Sequence, residues 1–124
     1  MYSSNMLDYS SYVNYIKMNG HKQFYKQFPC ITPMWDNSAR RKTNFFLFKN
    51  STPQKFKEWA IHEIQEFTPF SKDENLFFIN AWNEWAEGNH LEPDQRWGRA
   101  YLEATLRSIV ECAQAPSDSL SNTR

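Results

Sequence analysis

A run of four apolar residues, 76 to 79, leads directly into a polar loop and limits the folds open to this chain. Consecutive apolar residues are typical of a parallel strand that is buried on both faces. Such a strand needs neighbouring strands beside it and helices above and below. The run therefore predicts a strand over residues 75 to 81 in an α/β protein.

Three segments carry apolar residues at the spacing of amphipathic helices. Gly20 ends the first, and the second starts with Thr52 as its cap and Pro53 in its first turn. Glu63 is assigned to the polar side of the second helix. The predicted ranges are residues 8 to 17, 53 to 68 and 95 to 112. The predicted core faces are Tyr9, Val13 and Ile16; Phe56, Trp59, Ala60, Ile64 and Phe67; and Leu102, Leu106, Ile109 and Ala113.

Two other segments are candidate strands. Residues 28 to 34 predict a short strand, although Pro29 and Pro33 cannot donate to a ladder. Residues 45 to 48 predict either a strand or a hydrophobic loop. Helices alternating with strands are typical of α/β proteins with a parallel sheet. Because two or three strands cannot close a barrel, the pattern predicts part of a larger fold.

Charge and composition exclude several classes of protein. The 124 residues include 14 Lys and Arg against 14 Asp and Glu, which excludes a strongly basic nucleic-acid-binding face. Aromatic residues make up 17%, and they suit both a bulky core and the stacking surfaces of a sugar-binding cleft. No apolar run is long enough for a transmembrane segment, and residues 1 to 4 show no signal-peptide pattern, so we expect a cytoplasmic protein.

Neither a metal nor a cofactor is expected. Cys30 and Cys112 have no ligand spacing and predict two reduced, mostly buried thiols. The histidines are scattered, and the chain has no HExxH pattern and no glycine-rich phosphate loop. The short basic run at residues 40 to 42 predicts a solvated surface loop.

The polar loop that follows residue 81 carries the residues best suited to chemistry. Glu84 and Glu87 lie three positions apart, and Trp82 and Trp85 flank the first of them. In parallel α/β folds ligands bind beyond the carboxyl ends of the strands, where this loop would lie. Glycoside chemistry needs one carboxylic acid and a second carboxylate as base or nucleophile. Glu84 and Glu87 are therefore candidate catalytic residues, and the alternative is a pair of solvated loop carboxylates.

Further polar and aromatic side chains are candidates for sugar binding. Asp36 and Asn37 follow the strand predicted at residues 28 to 34; they bind sugar hydroxyls or simply form a turn. His90 is either a hydrogen-bonding partner of a sugar oxygen or a surface histidine. The candidate substrate-binding residues are Trp35, Asp36, Asn37, Trp82, Asn83, Trp85 and His90.

Two motifs resemble the signatures of the WbsX-like glycosyltransferase family. The first spans residues 28 to 37, with Arg40 and Arg41 shortly after it. The second spans residues 78 to 94 and includes Asn–Glu–Trp–Ala–Glu–Gly at positions 83 to 88. The resemblance covers roughly residues 9 to 110, and it includes residues 50 to 53, Gly98 and residues 101 to 104.

The resemblance implies a fold and roles for the two glutamates. The family is associated with bacterial surface-polysaccharide and O-antigen gene clusters, and it is related to the glycoside hydrolase family 99 endo-α-mannosidases, which have (β/α)8 barrels. By that resemblance Glu84 takes a proton from the substrate's own 2-hydroxyl through an epoxide-like intermediate, and Glu87 is the general acid/base at the glycosidic oxygen. Residues 1 to 113 would then form the carboxy-terminal portion of an incomplete TIM-type barrel, followed by a disordered polar tail at 114 to 124.

The leading hypothesis is glycosyl transfer in surface-polysaccharide biosynthesis, such as that of lipopolysaccharide O-antigen, with a carbohydrate as substrate. The alternatives are an endo-acting, mannosidase-like glycoside hydrolase, an inactive sugar-binding remnant, and a structural fragment that binds no sugar. Members of the family are much longer, so we expect this chain to match their carboxy-terminal third. We also expect it to be marginally stable, to aggregate or to need a complementing amino-terminal fragment.

Overall fold

The computed structural model describes residues 5 to 20 and 24 to 115. Within those two ranges the chain forms three α-helices, six short strands and two 3₁₀ turns. In chain order the elements are β1 (Asn5–Asp8), α1 (Tyr9–Asn19), β2 (Cys30–Ile31), β3 (Phe46–Lys49), α2 (Pro53–Glu66), a 3₁₀ turn at Lys72–Glu74, β4 (Phe78–Ile79), β5 (Asn83–Glu84), a 3₁₀ turn at Trp85–Glu87, β6 (Asn89–His90) and α3 (Ala100–Gln114).

The strands form three two-stranded ladders. Strands β1 and β3 are parallel, β2 and β4 are parallel, and β5 and β6 form an antiparallel pair. After β2 the chain passes through β3 and α2 before it returns as β4, which pairs with β2. The elements β2, α2 and β4 therefore make a β–α–β unit. Since parallel neighbours end at the same edge of a sheet, the loops that follow β2 and β4 lie side by side.

The first two helices begin where local signals predicted. In α1, the Asp8 carboxylate accepts a hydrogen bond from the Ser11 amide at 3.0 Å, and Gly20 closes the other end by donating to the Ile16 carbonyl at 2.8 Å. In α2, the Thr52 hydroxyl accepts from the Lys55 amide at 3.3 Å. These caps satisfy backbone groups that have no partner inside the helix.

Helix α3 begins at Ala100, five residues later than predicted. The cause is a tight turn in which Gly98 donates to the Asp94 carbonyl at 2.9 Å, while the Asp94 side chain accepts from the Trp97 amide at 2.6 Å. Gly98 has φ of +54°, a left-handed conformation that a right-handed helix cannot contain.

The predicted core face of α3 was wrong except at Leu102, which is partly buried and packs against the core. The helix buries Tyr101, Ala104 and Ser108, whereas Leu106 is 62% exposed and Ile109 is 57% exposed. Small side chains at 104 and 108 let α3 approach α2 closely, and larger leucines would hold the helices apart. The core combines this face with buried residues of α1, α2 and β2 and with the residue that follows β6. Its members are Tyr9, Val13, Ile31, Phe56, Trp59, Ala60, Leu91, Tyr101 and Ala104.

Three further predictions about burial were wrong. Glu63 is buried in α2 and accepts a hydrogen bond from the Trp59 indole at 2.9 Å, so it does not lie on the polar side. Cys30 is exposed and Cys112 is only partly buried. Strand β4 is not buried on both faces, because Phe78 is 51% exposed and the strand has a single partner strand in the part of the chain described here.

The candidate strands are real but short. Ladder pairing over residues 28 to 34 is confined to β2, which lies between two prolines without amide hydrogens. The segment at 45 to 48 is a strand, β3, and it is displaced by one residue. The ladders described here do not close a barrel, and the tail predicted from residue 114 lies outside the described residues from 116 onward.

Candidate active site at the ends of two parallel strands

The two sequence motifs meet at Glu87. The Asp36 amide, just beyond β2, donates to the Glu87 carbonyl at 2.9 Å. The Arg40 guanidinium donates to the Glu87 carboxylate, with Nη1 and Oε1 separated by 2.5 Å. Residues of the first motif therefore bind both the backbone carbonyl and the side-chain carboxylate of Glu87, the second glutamate of the second motif.

Gly88 permits this close approach. Its φ is +55°, and a Cβ at this position would lie 2.7 Å from the Asp36 carbonyl oxygen and 3.2 Å from the Asp36 Cβ. Any side chain would therefore push the loop away from the end of β2, besides straining the left-handed backbone. The glycine of the Asn–Glu–Trp–Ala–Glu–Gly motif thus has a packing role in the site.

The two glutamates occupy different surroundings. The Glu87 side chain is 17% exposed; its Oε1 binds Arg40, and its Oε2 is enclosed with no hydrogen-bond partner among the residues described. Glu84 lies in β5, faces solvent, and its carboxylate has no hydrogen bond or ion pair within the described ranges. One carboxylate is therefore open to a ligand, while the other is held by a cation.

Trp85 lies flat on His90. The two ring centroids are 3.6 Å apart with planes inclined by 13°, and the indole nitrogen of Trp85 donates to the Glu92 carboxylate at 2.6 Å. Half of Trp85 is exposed. An aromatic ring fixed on one face and open on the other suits stacking against a sugar.

His90 is buried and paired with Asp94 at 2.9 Å through Nε2. Burial alone would raise the pKa of Asp94, but hydrogen bonds from the Trp97 amide and from His90, with the charge of His90, lower it below its ordinary value. Since the carboxylate accepts, Nε2 is the nitrogen that donates in this pair.

Three other predicted site residues lie in the segments after β2 and β4, namely Trp35, Trp82 and Asn83. Trp82 is half exposed, and its carbonyl accepts from the Leu91 and Glu92 amides at 3.0 and 3.1 Å. Trp35 is partly buried, and its carbonyl accepts from the Phe48 amide at 2.8 Å. Asn83 is exposed and lies opposite His90 in the β5–β6 ladder.

The contacts of Asp36 and Asn37 are those of a turn. The Asp36 carboxylate accepts from the Ser38 amide at 2.9 Å and from its hydroxyl at 2.5 Å. Asn37 is buried, and its side-chain oxygen accepts from the Phe46 amide at 2.9 Å. Their role as sugar ligands stays a prediction.

Arg40 is a site residue that sequence reasoning missed. The prediction of a solvated surface loop is correct for its exposure, since the Arg40 side chain is 55% exposed, but that prediction did not include the pairing with Glu87. The available signal was its position four residues after Asp36, at the end of the same motif. Within residues 5 to 20 and 24 to 115, no three His, Cys, Asp or Glu side chains are placed to hold a metal ion, and no helix has the length and apolarity to cross a bilayer.

A family model for glycosyltransferase WbsX matches residues 1 to 105. The chain belongs to the WbsX glycosyltransferase family. The resemblance noted in the two motifs is thereby confirmed, since both lie inside the matched range.

Among curated proteins, the chain is 34% identical over 95 residues to the uncharacterized protein WxcX of Xanthomonas campestris pv. campestris, in strain B100 and in strain ATCC 33913. The match covers 76% of this chain, which spans 14% of the length of these WbsX-family relatives. No solved structure matches the chain.

Proposed function

We propose that this chain carries the catalytic carboxylates of a glycosyltransferase that builds bacterial surface polysaccharide. Family membership supports the reaction class, and the meeting of the two motifs at Glu87 supports the position of the site. That meeting is the observation on which the proposal rests. Arg40 and the Asp36 amide, from one strand end, hold a glutamate that follows the neighbouring strand.

The proposed division of labour follows the different surroundings of the two carboxylates. Transfer breaks the bond between the anomeric carbon and the leaving oxygen and forms one to an acceptor hydroxyl. Glu84 is exposed and takes the proton of the substrate's own 2-hydroxyl, as the family resemblance implies, and the 2-oxygen displaces the leaving oxygen from the anomeric carbon while Glu87 protonates it. When the acceptor hydroxyl then attacks the anomeric carbon, Glu87 takes its proton and Glu84 returns a proton to the 2-oxygen. Because Arg40 occupies Oε1, the proton is carried on Oε2, and the side chain must turn outward to deliver it.

The same proposal includes the fold. The β2–α2–β4 unit would be one portion of a (β/α)8 barrel, with the remaining strands supplied by an amino-terminal part of a longer protein. A site at the carboxyl ends of parallel strands is the arrangement found in such barrels. The exposed apolar side chain of Phe78 supports a further covering layer.

A bacterial strain that lacks the full-length gene gives a direct test. The gene is returned with Glu84→Gln, with Glu87→Gln, with Arg40→Gln, or with Arg41→Gln as the matched control, and surface polysaccharide is measured by gel and by sugar analysis. Loss of a catalytic acid or base lowers a rate roughly 10²- to 10⁴-fold, so both glutamate variants should lack the polymer. Among the described residues Arg41 donates only to the Asn44 carbonyl, at 3.5 Å, and the Arg41→Gln gene should restore normal polymer.

Full restoration of polymer by Glu87→Gln would contradict the proposal. The purified full-length protein separates the alternatives. Release of reducing ends from a polysaccharide in water, without transfer to an acceptor, indicates a hydrolase. Sugar binding that is unchanged by Glu87→Gln, with no bond made or broken, indicates an inactive remnant, and no sugar binding at all indicates a structural fragment.

A further inference from the structure

The Trp85 indole is fixed in place before any ligand arrives. His90 covers one of its faces at 3.6 Å, and the Glu92 carboxylate accepts a hydrogen bond from its edge at 2.6 Å. The indole is nevertheless 49% exposed. Trp82 is equally exposed, yet no aromatic ring stacks on it among the described residues. Trp85 is therefore the tryptophan of this loop that the surrounding side chains hold in one orientation.

His90 is itself held in place by a hydrogen bond to Asp94, which has a further partner of its own. Its Nε2 hydrogen-bonds to the Asp94 carboxylate at 2.9 Å, and Asp94 is held by the Trp97 amide at 2.6 Å. The other ring nitrogen, Nδ1, is enclosed and has no partner among the residues described. His90 is 7% exposed, so neither nitrogen is placed to reach a sugar hydroxyl. This position differs from the direct hydrogen-bonding role expected from the sequence.

We propose that His90 is a positioning residue that acts through Trp85, and that the open face of Trp85 binds a neutral hexopyranose. The proposal deepens the proposed function, since it specifies the sugar recognised at the same site. With its inner face covered by His90, the indole offers a single flat surface. The C–H face of a pyranose chair can pack on that surface.

The charges around the indole favour a neutral sugar. Glu92 lies at its edge, and Glu84 follows β4 on the same loop with no cation paired to it in the described ranges. The Arg40 guanidinium is already paired with Glu87. A uronic acid would bring a further carboxylate towards this negative group of side chains, which disfavours its binding.

The test uses the full-length protein that contains this chain, with ¹⁵N-labelled tryptophan and the Trp85 and Trp59 resonances assigned by substitution, titrated with methyl α-glucopyranoside, methyl α-mannopyranoside and methyl α-glucuronoside. The indole N–H resonance of Trp85 reports on binding. Trp59 is the internal control for folding, because its buried indole donates to Glu63 at 2.9 Å, away from the loop. Neutral glycosides should move the Trp85 resonance and leave that of Trp59 in place.

Two substitutions separate positioning from direct contact. His90→Phe keeps a flat ring against the indole and removes both nitrogens, so it should retain the affinity for the neutral glycosides. His90→Leu fills a similar volume without a flat ring. Its affinity for the neutral glycosides should fall by about three- to tenfold, which corresponds to the loss of one aromatic stacking interaction. Glu92→Gln removes the charge at the indole edge and should strengthen binding of the glucuronoside.

Equal losses in His90→Phe and His90→Leu would show that His90 touches the sugar through a nitrogen, and unchanged affinity in His90→Leu would show that the ring does not position Trp85. Either result overturns the inference, as does a Trp85 resonance that no neutral glycoside moves. Glucuronoside binding as tight as that of the neutral sugars overturns the substrate class. Glu84→Gln and Glu87→Gln separate this inference from the proposed function. Both variants should still bind the neutral glycosides, whereas the proposed function is tested by whether they make polymer.

Discussion

At the scale of single residues, the geometry of the site depends on a contact between backbone atoms. Gly88 has no side chain, and this lets the loop after β4 come within hydrogen-bonding distance of the end of β2. Gly98 has nearly the same φ, +54° against +55°, but apart from its two chain neighbours no described residue has an atom within 4 Å of where its Cβ would be. The two glycines therefore share the conformational requirement and differ only in the close approach.

Replacing each glycine by alanine separates these two effects. Both variants should lose about 1–2 kcal/mol of unfolding free energy from the left-handed backbone. Gly88→Ala should lose a further 1–3 kcal/mol, roughly, from the overlap with Asp36. Urea unfolding followed by circular dichroism measures both values. Equal losses in the two variants would show that the loop moves away from Asp36 at no cost.

At the scale of elements, one carboxylate joins α1 to the end of β3. The Asp8 carboxylate caps α1 through the Ser11 amide, and its second oxygen accepts from the Asn50 side chain at 2.9 Å. The hydrogen bond from Asn50, followed by that from the Ser11 amide, lowers the pKa of Asp8 below its ordinary value. The charge on Asp8 thus links a helix start to a neighbouring strand.

This lowered pKa predicts a loss of stability in acid. A carboxylate whose pKa is lower in the folded state contributes stability above the unfolded pKa, and that contribution disappears as pH falls through the folded value. Unfolding free energy should therefore decrease below about pH 4 and decrease less steeply in Asp8→Asn. Urea titrations at pH values from about 2 to 7, which span the range in which carboxyl groups titrate, measure the slope of the unfolding free energy against pH.

The exposed carboxylate Asp73 provides the control for that experiment. Asp73→Asn should leave the acid slope close to that of the unmodified chain, while Glu74 and Asp94, whose pKa values are also lowered, maintain part of the slope in both variants. The Glu74 carboxylate owes its shift first to the hydrogen bond from Lys26. An Asp8→Asn slope identical to the unmodified one would exclude Asp8 as a contributor.

At the scale of the whole molecule, the chain leaves apolar side chains uncovered on several elements, including β4 and α3. Phe78 is exposed on β4, and Leu106, Ile109 and Val110 are exposed on one side of α3. Residues three and four apart on a helix are neighbours, so the three α3 side chains form one patch. Exposed apolar patches of this kind promote association.

The isolated chain should therefore self-associate as its concentration rises, and its stability should be marginal. Replacing both Leu106 and Ile109 by Lys should shift sedimentation towards the monomer, because the patch on α3 then carries charge. Met18→Lys changes an 86% exposed side chain on α1 and should leave association unchanged. A chain that stays monomeric at all concentrations and melts in one sharp cooperative step would contradict this prediction.

Local interactions explain which elements could be predicted from the sequence. The cap of α2 lies within three residues of the group it binds, so Thr52 was recognisable in the sequence, as was Gly20 at the end of α1. The cap of α1 is equally local, but Asp8 was predicted only as the first residue of that helix. The start and the buried face of α3 were not recognisable, because the turn at Asp94 and the packing of small residues against α2 decide them. The strands were predicted at the right positions but too long, because the ends of a strand are defined only by its hydrogen-bonded pairing with a neighbouring strand.

For the site, the sequence alone determined the family, the chemical types of the candidate residues and their position after two strands. Only the tertiary structure decided which of them touch. Arg40 and Glu87 are 47 positions apart, and nothing in their local sequences indicates that they pair. His90 lies beneath Trp85 because the β5–β6 hairpin turns the chain back on itself, a contact set by folding. Residue types limit the possible chemistry, whereas distances between residues far apart in sequence depend on how the parallel strand ends bring their loops together.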